Sequence, residues 1–171
     1  MAESVADVSP ARAEVVRDFA CSELFERTFR EGMELVEETA DYLDGEGRRD
    51  SKLLSRAGAL AYAGESMRLT TRLMQVASWL LVQRAIREGD MDAREACLAR
   101  YRIGAQSVCK GEPRENLDEM PMGLMSLLDR SARLYDRVLH LDQRMFLDAP
   151  VEEAAHPVRA QINRLQAAFG G

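Results

Sequence analysis

The chain has 171 residues, of which 46% are hydrophobic and 30% charged, and its formal net charge is −6 at pH 7. This length suits one domain with a substantial core, and the composition is ordinary for a folded soluble protein. The acidic balance argues against a general affinity for nucleic acid or anionic lipid, and the longest apolar run is too short to span a bilayer.

The first half of the chain is predicted to be helical, because helix-forming residues dominate and no run alternates as a strand would. Residues 1–21 are expected to be a flexible N-terminal segment, in which Pro10 suits the first position of a short helix. The first long helix is predicted over about 22–43, and the glycines at 45 and 47 end it. Its predicted core stripe contains Phe25, Phe29, Val36, Ala40 and Leu43.

The second long helix, predicted over about 51–88, is apolar on two sides. One stripe advances in steps of four and three residues: Leu53, Ala57, Leu60, Gly64, Met67, Thr71, Met74, Ser78, Leu81 and Ala85. A second stripe contains Tyr62, Leu69, Leu73, Val76 and Leu80. One apolar side suffices for a helix at the surface of a small bundle, so the second apolar side must be covered by a further part of this chain or by another protein. Two interpretations remain open, a central core helix in a monomer and a helix that binds a second copy. The candidate self-association residues are Leu69, Leu73, Val76 and Leu80.

The second half begins with a connector over 89–121, predicted to contain a short helix after Asp92 and then an exposed loop. The third long helix is predicted over about 122–147, which completes a bundle domain of residues 22–147. Residues 148–171 are expected to form a flexible C-terminal tail. Its apolar residues Val158, Ile162, Leu165 and Phe169 have helical spacing. Either the tail lies against its own bundle, or these four residues bind a groove on a partner.

Charge is distributed unevenly between the first two long helices. Residues 22–46 have a net charge of −7, whereas residues 48–87 have a net charge of +6. An antiparallel hairpin of these helices would bring opposite charges together. The arginines of the second long helix also motivate an alternative class, a regulator that binds nucleic acid. They are Arg56, Arg68, Arg72, Arg84 and Arg87.

The sequence contains no recognisable catalytic constellation. Glu153 and His156 have the ExxH spacing of helical di-iron proteins, but those proteins need two such motifs and two further glutamates. The three cysteines are odd in number and fit no zinc pattern, so they are predicted to be free thiols in a reducing compartment. We therefore expect a cytoplasmic protein without enzymatic activity, cofactor or metal.

Three runs together resemble the alphaproteobacterial RcdA family, the regulators of CtrA degradation. They are ELFERTFREGMELVEETADYL, RAGALAYAGESMRLTTRLMQVASWLLVQRA and LLDRSARLYDRVLHLD. The resemblance covers about residues 24–146 and implies an all-α, three-helix bundle that forms a homodimer. It also implies an adaptor that joins the ClpXP protease after a response-regulator-like adaptor, CpdR, has primed it, and that helps deliver cell-cycle proteins as substrates.

The leading hypothesis is therefore a non-enzymatic adaptor of ClpXP-type proteolysis, with the protease complex, its response-regulator-like adaptor and protein substrates as partners. No nucleic-acid or membrane partner is expected. The alternative is a helical-bundle interaction protein, or a nucleic-acid-associated regulator, unrelated to proteolysis.

Overall fold

The computed structural model describes residues 8–111 and 117–147, and these residues form helices and connecting turns without a strand. The α-helices are α1 (Pro10–Ala20), α2 (Glu23–Asp44), α3 (Glu46–Asp50), α4 (Arg56–Glu88), α5 (Ala93–Ala96), α6 (Gln106–Cys109) and α7 (Met122–Leu147). Short 3₁₀ turns lie at Ser51–Leu53, Ala99–Tyr101 and Leu117–Glu119. The all-α prediction is confirmed, and α2, α4 and α7 are the three long helices.

Local sequence explains where α2 begins and ends. The hydroxyl of Ser22 accepts a hydrogen bond from the backbone N–H of Phe25 at 3.1 Å, which satisfies one of the free donors of the first turn. At the other end, Gly45 caps the helix and donates its N–H to the carbonyl of Asp41. Gly32, in the middle of α2, allows close packing, because a Cβ there would lie 2.6 Å from Cδ1 of Leu80 on α4.

The N-terminal helix α1 corrects one sequence expectation. Residues 1–21 were assigned to a flexible segment outside the bundle, yet α1 packs against α4, α5 and α7. Its buried residues are Ala13, Val16 and Ala20. Phe19 contacts the ring of Trp79 with a centroid separation of 5.7 Å. The apolar stripe of α1 is short, and only its packing against the other helices identifies it as part of the core.

Helix α4 is the central element, and it contacts α1, α2, α5, α6 and α7. It begins at Arg56 rather than at 51, because Ser55 is the capping residue and accepts a hydrogen bond from the N–H of Gly58 at 3.0 Å. The helix ends as predicted at Gly89, which adopts the left-handed conformation (φ +82°) that favours glycine. Trp79 is buried, and its indole N–H donates to Asp142 at 3.0 Å.

The long helices do not form a simple up-and-down bundle. Helix α2 runs antiparallel to α4, since Glu26 pairs with Arg87 near one end and Gly47 approaches Tyr62 near the other. Helix α7 runs parallel to α4, since Ser55 bonds Glu119 near the start of both helices and Trp79 bonds Asp142 near their ends. A parallel pair needs a return connection, and the segment 89–121 supplies it.

The connector lies lengthwise between α4 and α7, and much of it is held in place. Arg72 of α4 donates to the carbonyl of Cys109 at 2.7 and 3.1 Å, and Tyr135 of α7 donates to the carbonyl of Gly104 at 2.9 Å. Arg102 binds Asp142 at 3.0 Å. The prediction of a short helix after Asp92 is confirmed by α5, but the expected exposed loop is in part an ordered layer of the bundle.

Candidate interaction surface

The largest group of exposed apolar residues in the described chain lies on one face of α4. Every seventh residue on this face is large and apolar. These residues, with their exposed fractions, are Leu60 (70%), Met67 (72%), Met74 (63%) and Leu81 (52%). We call them the α4 stripe. Between Arg56 and Arg84, the exposed residues of α4 are all uncharged, and the charged residues of that stretch, Glu65, Arg68 and Arg72, are buried or half-buried. A row of large, exposed apolar residues of this kind is typical of a protein interaction site.

The stripe alternates with a second heptad position that carries small side chains. These residues are Gly64, Thr71, Ser78 and Ala85. Large residues at one heptad position and small ones at the other allow a facing helix to approach closely, because interaxial distance depends on the side chains at the contact. The α4 stripe therefore has the geometry of a helix-packing face that lacks a partner in the described chain.

The structure contradicts the predicted self-association residues. Leu69, Leu73, Val76 and Leu80 lie in the core of the single chain, and at most 4% of each is exposed. Leu80 contacts the position of Gly32 on α2, and the same face of α4 packs against α7. A face that is buried within one chain has no surface to offer a second copy. The two apolar sides of α4 agree with the sequence prediction, but the side predicted to self-associate is the one buried within the chain.

A shallow groove of about 200 Å³ lies beside the stripe, between α2 and α4. Its lining residues are Val36, Thr39, Ala40, Leu43, Thr70, Leu73, Met74 and Ala77. We call it the α2–α4 groove. Val36, Ala40 and Leu43 were predicted to be core residues, whereas the buried face of α2 is Phe25, Thr28, Gly32, Leu35 and Thr39. The predicted stripe is displaced toward this groove, because a glycine and two threonines occupy core positions that an apolar pattern does not mark.

The acidic face of α2 pairs mainly with α7 rather than with α4. Arg130 donates to Glu38 at 2.7 Å, and Arg137 donates to Glu31 at 2.6 Å. The hydrogen bond from Arg130 holds the pKa of Glu38 below its ordinary value, against a smaller raising effect of burial. Arg87 with Glu26 is the one ion pair that joins α2 to α4 among the described residues. The predicted antiparallel pairing of α2 and α4 agrees with the structure. Fewer ion pairs join the two helices, however, than their opposite net charges suggested.

The arginines of α4 are largely engaged within the protein. Arg72 is buried and also donates to the carbonyl of Leu128 at 2.9 Å, and desolvation lowers its pKa. Arg68 donates to the carbonyl of Gly111 at 2.8 Å. Arg84 pairs with Glu88 at 2.8 Å on the same helix. These contacts place most of the basic side chains of α4 on connector carbonyls and on neighbouring acids.

Some of the other predicted site features lie among the described residues, and others lie outside them. Cys97 and Cys109 are buried free thiols, and burial raises the pKa of both, whereas Cys21 is exposed. Across residues 8–111 and 117–147, no cluster of three or more His, Cys, Asp or Glu side chains has the arrangement of a metal site. The same part of the chain contains no helix with the length and apolarity that crossing a membrane requires. The ExxH motif at 153–156 lies outside the described residues.

The predicted partner-binding residues also lie outside the described residues. They are Val158, Ile162, Leu165 and Phe169, and they remain a sequence prediction. The structure therefore supplies the α4 stripe and the α2–α4 groove, and the sequence supplies the amphipathic tail. The sequence also contained the signal for the α4 stripe, the heptad of large residues, but gave no criterion for deciding which face is exposed.

Comparison with known proteins assigns the family. A family model described as a protein of unknown function (DUF1465) matches residues 16–169, and the chain belongs to this family. The chain is also similar to a solved structure, RcdA from Caulobacter crescentus CB15. The two sequences are 63% identical, the match covers 75% of this chain and 96% of that chain, and the TM-score is 0.62. Among curated proteins, none matches the chain. The resemblance inferred from the three sequence runs is thereby confirmed.

Proposed function

We propose that this protein is a non-enzymatic adaptor in regulated proteolysis, which delivers cell-cycle regulatory proteins to a primed ClpXP-type protease. The observation that carries the proposal is the uncharged apolar α4 stripe, because it is a surface built for protein contact. The similarity to RcdA supports the choice of pathway. An adaptor of this kind raises the effective concentration of the cargo at the protease, because one of its surfaces binds the protease complex and another binds the cargo.

The α4 stripe is the proposed site of homodimerisation. Its order, Leu60, Met67, Met74 and Leu81, has the same residue types in both directions along the helix. In an antiparallel pair of α4 helices centred between Thr70 and Thr71, each leucine meets a leucine and each methionine meets a methionine. Such an isologous, self-complementary patch is what a twofold dimer requires.

Light scattering on the full chain tests this interface. Met74→Arg places a charge in the centre of the stripe, and we expect the mass to fall from that of a dimer to the 19.2 kDa of one chain. Met122→Arg is the matched control, because Met122 is 89% exposed at the start of α7 and is not part of the stripe. A Met74→Arg variant that keeps the dimer mass would contradict the assignment.

The tail is the proposed segment for partner capture, through Val158, Ile162, Leu165 and Phe169. A short amphipathic helix at the end of a tether suits a hydrophobic groove on the primed protease complex or on a cargo protein. Leu165→Asp removes one apolar contact, while Ala167→Asp introduces the same charge on the opposite side of the helix. The two variants therefore separate a loss of apolar recognition from a general effect of charge.

A reconstituted degradation assay tests the function directly. It contains ClpXP, the response-regulator-like adaptor CpdR and a fluorescent cargo, with or without the full chain. We expect the chain to accelerate cargo loss only when CpdR is present, the Leu165→Asp variant to be defective and Ala167→Asp to be active. Equal cargo loss with and without the chain, under every combination of components, would overturn the proposal.

A further inference from the structure

The α2–α4 groove is suited to the side chains of a helix rather than to a small molecule. Its volume of about 200 Å³ is below the ~300–1,000 Å³ usual for ligand pockets. Its walls are almost entirely apolar, with Val36, Ala40 and Leu43 from α2 and Met74 and Ala77 from α4. Two parallel rows of apolar residues with a trough between them are the surface that an amphipathic helix binds.

The two edges of the groove differ in charge. On α2, Glu37 and Asp44 follow Val36 and Leu43 by one position, so they lie on the solvent side of the groove. Both are exposed, and no ion pair to either forms among the described residues. On α4, the neighbouring exposed residues Thr70, Met74 and Ser78 are uncharged. An occupant of this groove therefore needs an apolar face and a basic flank.

The C-terminal tail has this composition. Residues 157–171 contain no acidic residue and two arginines, Arg159 and Arg164. In a helix, Val158, Ile162, Leu165 and Phe169 form one face, and the two arginines lie on opposite flanks of that face. Whichever way the helix is oriented, one arginine lies toward the acidic edge of α2.

The residues between α7 and the proposed tail helix are numerous enough to reach the α2–α4 groove. The bond between Trp79 and Asp142 aligns α7 with α4, so Leu147 lies about 10 Å along the axis from Ala77, at 1.5 Å per residue. The path around the bundle adds about two helix diameters of 10–12 Å each. The ten residues 148–157 extend to roughly 35 Å, which is sufficient.

We propose that the tail helix of residues 157–171 binds the α2–α4 groove of its own chain, with Leu165 and its apolar neighbours between the two helices. The inference builds on the recognition role proposed for the tail, and it adds regulation. The bound tail is withheld from partners, and it covers Met74, which the α4 stripe needs for dimerisation. Partner capture and dimerisation are therefore both in competition with the docked tail.

Methionine-methyl NMR on the full chain tests this docking with natural probes. Met74 reports on the groove, and Met122, an exposed residue at the start of α7 that does not line the groove, is the internal control. In samples dilute enough for the chain to be monomeric, we expect Leu165→Asp to shift the Met74 signal and leave Met122 unchanged, while Ala167→Asp leaves both unchanged. An excess of a synthetic peptide of residues 157–171 added to the Leu165→Asp variant should return Met74 to its original position. Ala40→Glu, a substitution at an exposed groove residue, should reproduce the shift.

Two results would overturn the inference. One is a Met74 signal that is the same in the original chain and in the Leu165→Asp variant at every concentration. The other is a Met74 signal that depends on protein concentration but not on residue 165, which would assign the groove to a second copy. No protease component is present in this experiment, so failure of tail docking is distinguishable from failure of the adaptor function.

Discussion

Two adjacent residues, Leu73 and Met74, provide a stringent test of which face of α4 is buried. Leu73 is 4% exposed and Met74 is 63% exposed, although both are large apolar residues on the same turn. Truncating a buried leucine to alanine costs about 2–5 kcal/mol, because apolar contacts are lost and a cavity remains. Truncating an exposed side chain changes stability by about 0.5 kcal/mol or less. We therefore expect Leu73→Ala to be strongly destabilising and Met74→Ala to be nearly neutral within one chain.

The assay is urea unfolding followed by circular dichroism at several protein concentrations. Dimerisation adds stability that depends on concentration, because a partner that binds only the folded chain shifts the equilibrium by mass action. The cost of Leu73→Ala should therefore appear at every concentration. Met74→Ala should lower the urea midpoint only at high concentration, because the proposed dimer would form there in the original chain and not in the variant.

Two outcomes would refute this reasoning. Equal destabilisation by both variants at the lowest concentration would mean that Met74 is also part of the core. A Leu73→Arg variant that remains folded but becomes monomeric would restore the original assignment of the buried residues to self-association. A Leu73→Arg variant that unfolds agrees with the structure, in which Leu73 is part of the core.

Three further perturbations follow from named contacts. Arg72→Met should cost about 1–3 kcal/mol in urea unfolding, because it leaves the carbonyls of Cys109 and Leu128 without their buried donor; an unchanged free energy of unfolding would contradict the anchoring role. Gly32→Ala should destabilise by about 1–3 kcal/mol despite the better helix propensity of alanine, because the new Cβ meets Leu80. The lowered pKa of Glu38 stabilises the fold above the ordinary value of 4.5, and this contribution is lost as pH falls. Arg130→Gln should therefore make urea midpoints less sensitive to pH between 7 and 3, and an unchanged profile would contradict this.

Features set by local chemistry could be predicted from the sequence. Ser22 and Gly89 define helix ends through bonds to residues within one turn, and the sequence indicated both positions. The predicted start of α4 is too early, because Ser55 caps the helix and the apolar pattern from Leu53 onward does not mark this capping position. The predicted extent of α7, about 122–147, agrees with the structure.

Features set by distant partners could not be predicted in this way. Both sides of α4 carry regular apolar spacing, and only the positions of α2 and α7 decide that Leu73 is inside and Met74 outside. The order of the connector depends on Arg72, whose acceptors lie 37 and 56 residues away along the chain. A polar, glycine-containing sequence gives no indication that such a segment is held by a buried guanidinium.

The absence of exposed charge on the α4 stripe between Arg56 and Arg84 has a thermodynamic consequence. Association through such a face depends on removing apolar area from water, so ionic strength should change its affinity little. Burial of this area gives association a negative heat-capacity change, and the contribution weakens on cooling. Contacts of the acidic α2 face with basic partners should respond in the opposite way, since salt screens them. Salt and temperature are therefore independent controls over two neighbouring surfaces of the same small bundle.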